Sequence, residues 1–492
     1  MLESLILGGV VHVTVIGTII TAITMVQDID LQSQQSLDCW LLTRGDLMKD
    51  TVLIRTLQNE YVYDRASNNI YELSNGGNDL INEDRNSINL MIDKIEHPET
   101  RLLKYKYERK LSVITLQITQ QCNLRCEYCV YSGKYQNRGH SSEIMDDTVA
   151  RQSIDFLALH SIDSSHVHIG FYGGEPLLRF QFIKDQIDYA HKRLHGKQIT
   201  FGLTTNGTLL NREIIEYFAE NNVSIIISLD GDKVSHDKNR KFANSEKGSF
   251  DIIINKLKEI CEFYPEYFKT ISFNVVIDPE TPFKNTALFF KNNSLINNSF
   301  ITAGLISNQY VVEEALSSEI FKEEYGYELF KYFLYKLNVL KKEDVSNLFE
   351  GYFRGIKRIE DREITELEST AHHGGPCVPG VQKLFVGIDG TLYPCERVNE
   401  ESEVMKIGTV FDGFIIEKAL TILNIGEVTK EECKQCWAFR FCTICASSAD
   451  DTIKFSKQKK LKACKTVKQS TLVLLKNYCM LKEFGYTAQE ED

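Results

Sequence analysis

A rhythm of strand then helix between residues 111 and 310 limits the fold of this chain more than any other feature. Apolar runs rich in β-branched residues at Ser112–Ile118, His166–Tyr172, Ile199–Leu203, Ser224–Leu229 and Thr270–Ile277 read as strands. Stretches near Thr148–His160, Phe180–Leu194, Arg212–Asn221, Phe250–Phe263 and Pro282–Lys291 read as helices between them. Such alternation predicts a parallel sheet, either open and wound or closed into a barrel, because each return crossover needs a helix. Polar motifs follow the first four strands: Cys122, Gly173-Gly174-Glu175-Pro176, Thr205-Asn206-Gly207 and Asp230-Gly231. In a (β/α) barrel the strand ends form the functional rim, so these motifs are expected to share one site.

The first motif is Cys122, Cys126 and Cys129 in the run Gln121-Cys122-Asn123-Leu124-Arg125-Cys126-Glu127-Tyr128-Cys129. Thiolates spaced by three and then two residues can wrap one corner of a cubic iron–sulfur cluster. A cluster that needs only a cage takes four cysteines. Three leave one iron free to bind a substrate or cofactor, as an open position does at a catalytic metal. A zinc knuckle or buried thiols are the competing readings. In the second motif, Gly173 and Gly174 let backbone approach a ligand closely. Glu175 offers an anionic acceptor to an ammonium group, and Pro176 stiffens the turn.

The 13 cysteines fall in metal-like spacings in a long chain that loops do not dominate. A reduced cytoplasm fits better than a disulfide-bonded exterior. A formal net charge of -12 argues against nucleic acid as the main partner. Cys377, Cys395, Cys433, Cys436, Cys442, Cys445 and Cys464 form a second cluster of thiols within residues 370–480. A zinc ribbon from Cys433, Cys436, Cys442 and Cys445 would leave the other three unexplained. Cys39, Cys261 and Cys479 read as plain thiols. His372-His373 read as loop residues without a metal, and the lysines from Lys454 to Lys468 as a solvated helical face.

Residues 5–26 carry no charge and are long enough to span a membrane, with no basic residue ahead of them to mark a cleavable signal. A membrane partner is expected only if that span is real. The alternative is that residues 1–47 lie upstream of the true start, with Met48-Lys49-Asp50 opening a soluble domain. Residues 48–110 read as strands at Val52–Leu57, Glu60–Tyr63 and Ile70–Leu73, a turn at Asn68-Asn69, and a helix over Leu80–Ile95. They form either a peptide-recognition domain or packing for the next domain. Residues 311–369 read as a helical bridge.

The motifs from about Ser112 to Ile306 resemble those of the radical S-adenosylmethionine enzymes. The resemblance implies a partial (β/α)6 TIM-like barrel of α/β class. It implies a [4Fe–4S] cluster on Cys122, Cys126 and Cys129, whose open iron chelates S-adenosyl-L-methionine and cleaves it to a 5′-deoxyadenosyl radical. Tyr128 would pack near the adenine. Gly173, Gly174 and Glu175 match the family's second motif. Ser228, Asp230 and Arg240 resemble its ribose and carboxylate contacts, a strand-end turn and a solvated arginine being the plain alternatives. Thr205 and Asn206 would line the pocket, unless Asn206 caps a helix.

Cys377, then twelve residues, Gly390, four residues and Cys395, followed by the later cysteines, resemble the SPASM domain with its two auxiliary [4Fe–4S] clusters. One departure is the two residues between Cys442 and Cys445, where that domain usually has three. The resemblance assigns Cys433, Cys436, Cys442 and Cys464 to one cluster, and Cys377, Cys395 and Cys445 to the other. Two cubanes need eight ligands, so one iron would stay open for a substrate thiolate. Glu396 stands where some such enzymes keep an acid that takes a proton from the substrate, a role that burial could tune. A surface glutamate is the alternative.

From Met48 onward the pattern looks like a maturase of ribosomally made peptides. Cys129-Val130-Tyr131-Ser132-Gly133 and Cys377-Val378-Pro379-Gly380 add to this resemblance. The expected activity is a crosslink, a cysteine thioether, in a precursor peptide whose leader segment the N-terminal domain would bind by strand addition. Formylglycine formation for a sulfatase and carbon–carbon crosslinking are the nearest alternatives. A non-catalytic iron–sulfur scaffold that binds a peptide is the distant one. A cytoplasmic electron donor such as flavodoxin or ferredoxin is implied.

Overall fold

The computed structural model describes residues 50–73, 92–132, 134–135, 138–313, 315–375 and 377–487. The apolar run at 5–26 and Cys39 lie outside these residues. Among the described residues no helix is long and apolar enough to cross a membrane.

Three strands open the described chain as an antiparallel meander: β1 (Thr51–Arg55), β2 (Glu60–Asp64) and β3 (Asn69–Leu73). Asn68, at φ 58°, makes the turn into β3, a conformation asparagine tolerates better than most residues. The helix expected over Leu80–Ile95 falls mostly outside the described residues. Its described end is instead a short strand, β4 (Lys94–Ile95), which pairs in parallel with Thr370–Ala371. Tertiary pairing outweighs the apolar periodicity there.

The barrel follows. Its strands are β5 (Val113–Thr119), then the short β6 (Leu124–Cys126), β7 (His166–Gly173), β8 (Gln198–Thr205), β9 (Val223–Ser228), the short β10 (Arg240–Phe242), β11 (Ser272–Ile277) and β12 (Ile301–Leu305). β5, β7, β8, β9, β11 and β12 are parallel and adjacent in that order. Helices Asp147–His160, Phe180–Arg193, Arg212–Glu220, Phe250–Phe263 and Lys284–Asn292 form the crossovers. Asp146 and Asn211 start two of them by accepting from the Val149 and Ile214 amides. Ile114, Leu116, Ile169, Phe201, Ile227 and Phe273 are fully buried between sheet and helices. Burial of each such side chain stabilises the fold by about 1.5–3 kcal/mol.

The sixth strand, β12, escaped the periodicity reading. Its sequence Ile301-Thr302-Ala303-Gly304-Leu305 carries one buried residue and a glycine, so its signal is weak. The far edge of β5 is not left bare. After β13 (Thr370–Ala371), the partner of β4, strand β14 (Leu384–Val386) adds to β5 in parallel, with Leu384 opposite Ile114. β15 (Thr391–Tyr393), β16 (Gly408–Thr409) and β17 (Gly413–Phe414) continue antiparallel, giving one ten-stranded sheet. The C-terminal region thereby covers an edge that would otherwise invite aggregation. Helices Glu319–Lys336 and Glu350–Glu360 follow β12, and the long helix Lys457–Glu483 is the last among the described residues.

The N-terminal meander is fastened to the segment that bears Cys433, Cys436 and Cys442. Arg65 is buried and donates to the carbonyl oxygens of Lys434 (2.8 Å) and Cys436 (3.4 Å). In return Arg440 donates to the carbonyl oxygens of Arg65 (2.8 Å) and Ala66 (3.2 Å). Two arginines, one from each side, satisfy backbone acceptors that would otherwise be desolvated at the junction.

Candidate functional site

The barrel's strand ends bring the four motifs together. After β5 the chain turns through Cys122 into β6, which pairs antiparallel with β10 so that Cys126 lies opposite Arg240. Two glycines make the next contact possible. Gly173, at φ +139°, packs so closely that an added Cβ would lie 1.9 Å from the Thr119 carbonyl oxygen, and one on Gly174 would lie 2.1 Å from that of Gln121. Gly174 N–H donates to Thr119 O (2.9 Å) and Glu175 N–H to Gln121 O (2.8 Å). The immediate partner of these glycines is therefore the loop that carries Cys122.

Glu175 is fully buried. Its Oε1 accepts from Thr205 Oγ1 (2.8 Å) and Leu177 N (3.0 Å), and its Oε2 from Asn206 N (2.8 Å). Burial pushes its carboxyl up, against these donors. A carboxylate offers about four acceptor positions, so one remains beyond the three in use. Asn206 caps no helix. Its Nδ2 donates to Asn123 Oδ1 (2.8 Å) and lies 3.9 Å from Cys122 Sγ, while its Oδ1 accepts from Thr208. Glu175, Thr205 and Asn206 thus hold the end of β8 against the cysteine loop.

On the other flank Asp230 gathers the remaining motif residues. It accepts from the Tyr128 hydroxyl, from Arg240 Nε (2.7 Å) and Nη2 (3.3 Å), and from Val276 N (3.0 Å). Arg240 is buried and its Nη1 lies 3.9 Å from Cys126 Sγ. Arg240 is thus an inner, ion-paired residue, not a solvated one. Ser228 ends β9 and is mostly buried. A cavity of about 630 Å³ opens beside Tyr128 and Asn239 and extends to Asp278, Ile306 and Val311. That volume is in the usual range for a small-molecule site.

Among the described residues no three cysteines, histidines or carboxylates are drawn together as ligands of one metal ion, so what bears on a cluster is the chemistry around each sulfur. None is in a disulfide. Leu124 N–H points at Cys122 Sγ (3.4 Å) and Tyr131 N–H at Cys129 Sγ (3.5 Å). The same contact, from the amide two residues on, recurs at Cys395, Cys436 and Cys442. Cys479, which the sequence set aside, has no such contact from a residue ahead of it. Amide donors at sulfur stabilise thiolate and tune bound clusters. As free thiols they are held protonated: burial pushes Cys122 up to about 11 and Cys126 up to about 12. Coordination to iron would reverse that.

In the C-terminal region the cysteines separate into two neighbourhoods. Cys433, Cys436, Cys442 and Cys464 lie close enough to feel one another's charge. Cys395 is instead coupled to Cys445. Cys377 is exposed. Glu396 is mostly buried, and its carboxylate pairs with Lys383 Nζ (2.9 Å). Burial raises its pKa, but Lys383 and Arg397 win and hold it below the usual carboxylate range. That direction favours a fixed anion over a base poised near neutrality.

A buried polar network joins the barrel to the C-terminal region, and its residues carry no sequence motif. Arg138 Nε pairs with Glu400 Oε1 (2.6 Å). Gln117 of β5 donates to the same carboxylate (2.9 and 3.0 Å) and to the Tyr131 hydroxyl (3.0 Å). Arg138 also donates to the Glu396 carbonyl oxygen, one residue past Cys395. The only sequence sign of this network is a charged residue, Arg138, in a loop that follows a cysteine motif.

Residues 116–289 match the family model described as the Radical SAM superfamily. The chain is 28% identical over 358 residues to a cysteine-type anaerobic sulfatase-maturating enzyme of Clostridium novyi, covering 68% of this chain and 87% of the relative. It is 28% identical over 301 residues to the radical SAM cyclopropyl synthase TigE of Paramaledivibacter caminithermalis, covering 57% and 60% respectively. Its fold is similar to native anSMEcpe with bound AdoMet, with a TM-score of 0.54 and 21% identity over 74% of this chain and 99% of that one. The same protein with AdoMet and the Cp18Cys peptide gives a TM-score of 0.52 at 21% identity, over 75% of this chain and 99% of that one.

Proposed function

The chain is a radical SAM enzyme related to the anaerobic sulfatase-maturating enzymes and to TigE, and from that premise we propose that it forms a thioether crosslink in a cysteine-bearing precursor peptide. The observation that carries the reading is that Cys433, Cys436, Cys442 and Cys464 share one neighbourhood while Cys395 is near Cys445 instead; the resemblance to the SPASM domain adds Cys377 to that second pair. Four thiols complete a cubane; three leave a position that a thiol of the substrate can take.

Cys122, Cys126 and Cys129 would hold a [4Fe–4S] cluster, which with S-adenosyl-L-methionine would supply radical hydrogen-abstraction chemistry. The chain's own residues prepare the place. Glu175 and Asn206 fix the cysteine loop, and the Asp230–Arg240 pair fixes Tyr128 beside the 630 Å³ cavity. Arg138 and Glu400 tie that rim to the segment after Cys395, so both ends of a crosslink are held in one frame. Lys383 keeps Glu396 ionised, where it can orient a cationic or hydrogen-bonding group of the peptide. Among the described residues no strand pairs with the outer edge of β3, which would offer its backbone to an extended leader segment. Flavodoxin or ferredoxin would supply the electron.

The relatives favour a second reading, oxidation of a cysteine to formylglycine, since the Clostridium novyi relative is named a cysteine-type anaerobic sulfatase-maturating enzyme. One experiment separates the two. The anaerobically reconstituted protein is given S-adenosyl-L-methionine, dithionite and a cysteine-bearing peptide, and product mass and 5′-deoxyadenosine are measured. A thioether loses two hydrogens, keeps sulfur and resists thiol alkylation. Formylglycine loses the sulfur. A carbon–carbon bridge loses two hydrogens but leaves an alkylatable thiol. Absence of 5′-deoxyadenosine with a fully iron-loaded protein refutes all three.

A further inference from the structure

One lysine of the run Lys454–Lys468 does not belong to a solvated face. Lys460 is 1% exposed. Its Nζ donates to Thr429 Oγ1 (2.6 Å) and lies 3.8 Å from Cys433 Sγ, and Thr429 Oγ1 is itself 3.2 Å from that sulfur. Lys457 and Lys459, on the same helix, pair with Glu432 and Asp451 at the surface. Among the described residues no carboxylate lies within ion-pair distance of Lys460. An ammonium buried without a counter-anion is costly, so the site implies an anion.

The groups that can supply it are the four cysteines. Cys464 sits one turn further along the same helix, and the Lys460 charge acts on both Cys442 and Cys464. A second orphan lies in the same neighbourhood. His373 is 2% exposed with both ring nitrogens unpartnered, and the Lys460 charge reaches it. Two residues on, Gly375 N–H donates to the Cys442 carbonyl oxygen (2.6 Å). A buried ammonium with no carboxylate partner, 3.8 Å from Cys433 Sγ, fits an anionic sulfur cluster there, whose sulfurs accept hydrogen bonds, and the unpartnered imidazole of His373 lies within reach of the same charge.

We propose that Lys460 is a positioning residue for electron transfer: it is the built-in counter-charge of a [4Fe–4S] cluster held by Cys433, Cys436, Cys442 and Cys464, and it raises that cluster's reduction potential. The inference rests on the proposed assignment of those cysteines to a cluster. With four thiolates the oxidised cluster is a dianion; one added electron makes it a trianion. A fixed cation stabilises the trianion more than the dianion, so the equilibrium shifts toward the reduced form. In the test the electron comes from dithionite; in turnover it comes from the substrate radical as that radical closes its new bond and loses a proton.

The test is a redox titration of the anaerobically reconstituted full chain, followed by electron paramagnetic resonance, with iron and sulfide counts. Lys460→Gln and Lys460→Met are expected to lower the one-electron equilibrium constant of this cluster at least about tenfold, roughly 59 mV, and to leave the other clusters where they were. Lys460→Arg, which keeps the charge, is expected to stay within about threefold of wild type. An unshifted potential in an iron-complete Gln variant overturns the proposal, as does an Arg variant that falls as far as Gln. If both neutral variants lose this cluster's iron, the Arg variant decides: full iron at wild-type potential sustains the proposal, and loss of iron overturns it. A Cys433→Ala, Cys436→Ala protein with as much iron as wild type would instead overturn the cluster assignment itself.

Discussion

Replacing Gly174 with alanine should dismantle the contact on which the radical site is built. The new Cβ would stand 2.1 Å from the Gln121 carbonyl oxygen, 2.5 Å from its carbon and 3.1 Å from Cys122 Cβ. Real Cβ atoms are essentially never found within 3.0 Å of a neighbour, so the two backbones must separate by about 1 Å. Neither can give cheaply. Both are backbone, joined by Gly174 N–H to Thr119 O and Glu175 N–H to Gln121 O. Losing two buried hydrogen bonds costs about 1–3 kcal/mol, and the overpacking about 1–3 more. A total near 4 kcal/mol should lower the barrel's melting transition by on the order of 10 °C. Because the displaced residues include Cys122, the variant should also lose the iron of the triad while keeping that of the C-terminal region. Thermal unfolding and iron counts on the anaerobic protein measure both. A Gly174→Ala protein with wild-type melting and wild-type iron would refute the close-packing argument.

Three further outcomes follow from other contacts. Arg138→Met should destabilise by about 3–5 kcal/mol because it strands the buried Glu400, and Arg138→Met with Glu400→Gln should recover at least half; equal losses in denaturant titrations would contradict a buried pair. Arg65→Met should cost about 2 kcal/mol and raise amide exchange both in β1–β3 and in residues 433–442, whereas a rise confined to the strands would show the two are not coupled. His236 is buried, with Nδ1 accepting from Asp230 N (3.3 Å) and Nε2 against Ser249 Oγ (2.9 Å). Burial lowers its pKa from 6.5 to about 3, although Asp230 pulls the other way and Arg240 adds to the depression. The unfolded chain therefore binds this proton in the window between those values and the folded chain does not. Stability is present above 6.5 and lost as pH falls, by about 1.4 kcal/mol between roughly pH 7.5 and pH 5.5. His236→Gln should remove that share of the pH dependence; an unchanged pH profile would refute it.

What could be read from residues alone was local. Apolar runs and a period of 3.6 marked five of the six barrel strands and their helices, because both faces of a parallel strand and one face of a helix must be apolar. Motifs at strand ends placed the site, since parallel strands carry their ends to one rim. Thiol spacing singled out the cysteines as candidate ligands, because the ligands of one cluster would recur at short intervals along the chain. The remainder depended on neighbours distant in sequence. β12 is a strand because β11 pairs with it, and Lys94–Ile95 is one because Thr370–Ala371 does. β14 covers β5 only when Leu384 reaches Ile114, 270 positions earlier in the chain. Lys460 looks like its solvated neighbours until Thr429 and Cys433 enclose it, and Arg138 looks like a loop charge until Glu400 meets it in the interior. Whether a charged side chain is buried, and against what, is a property of the packed chain; periodicity and spacing hold no record of it.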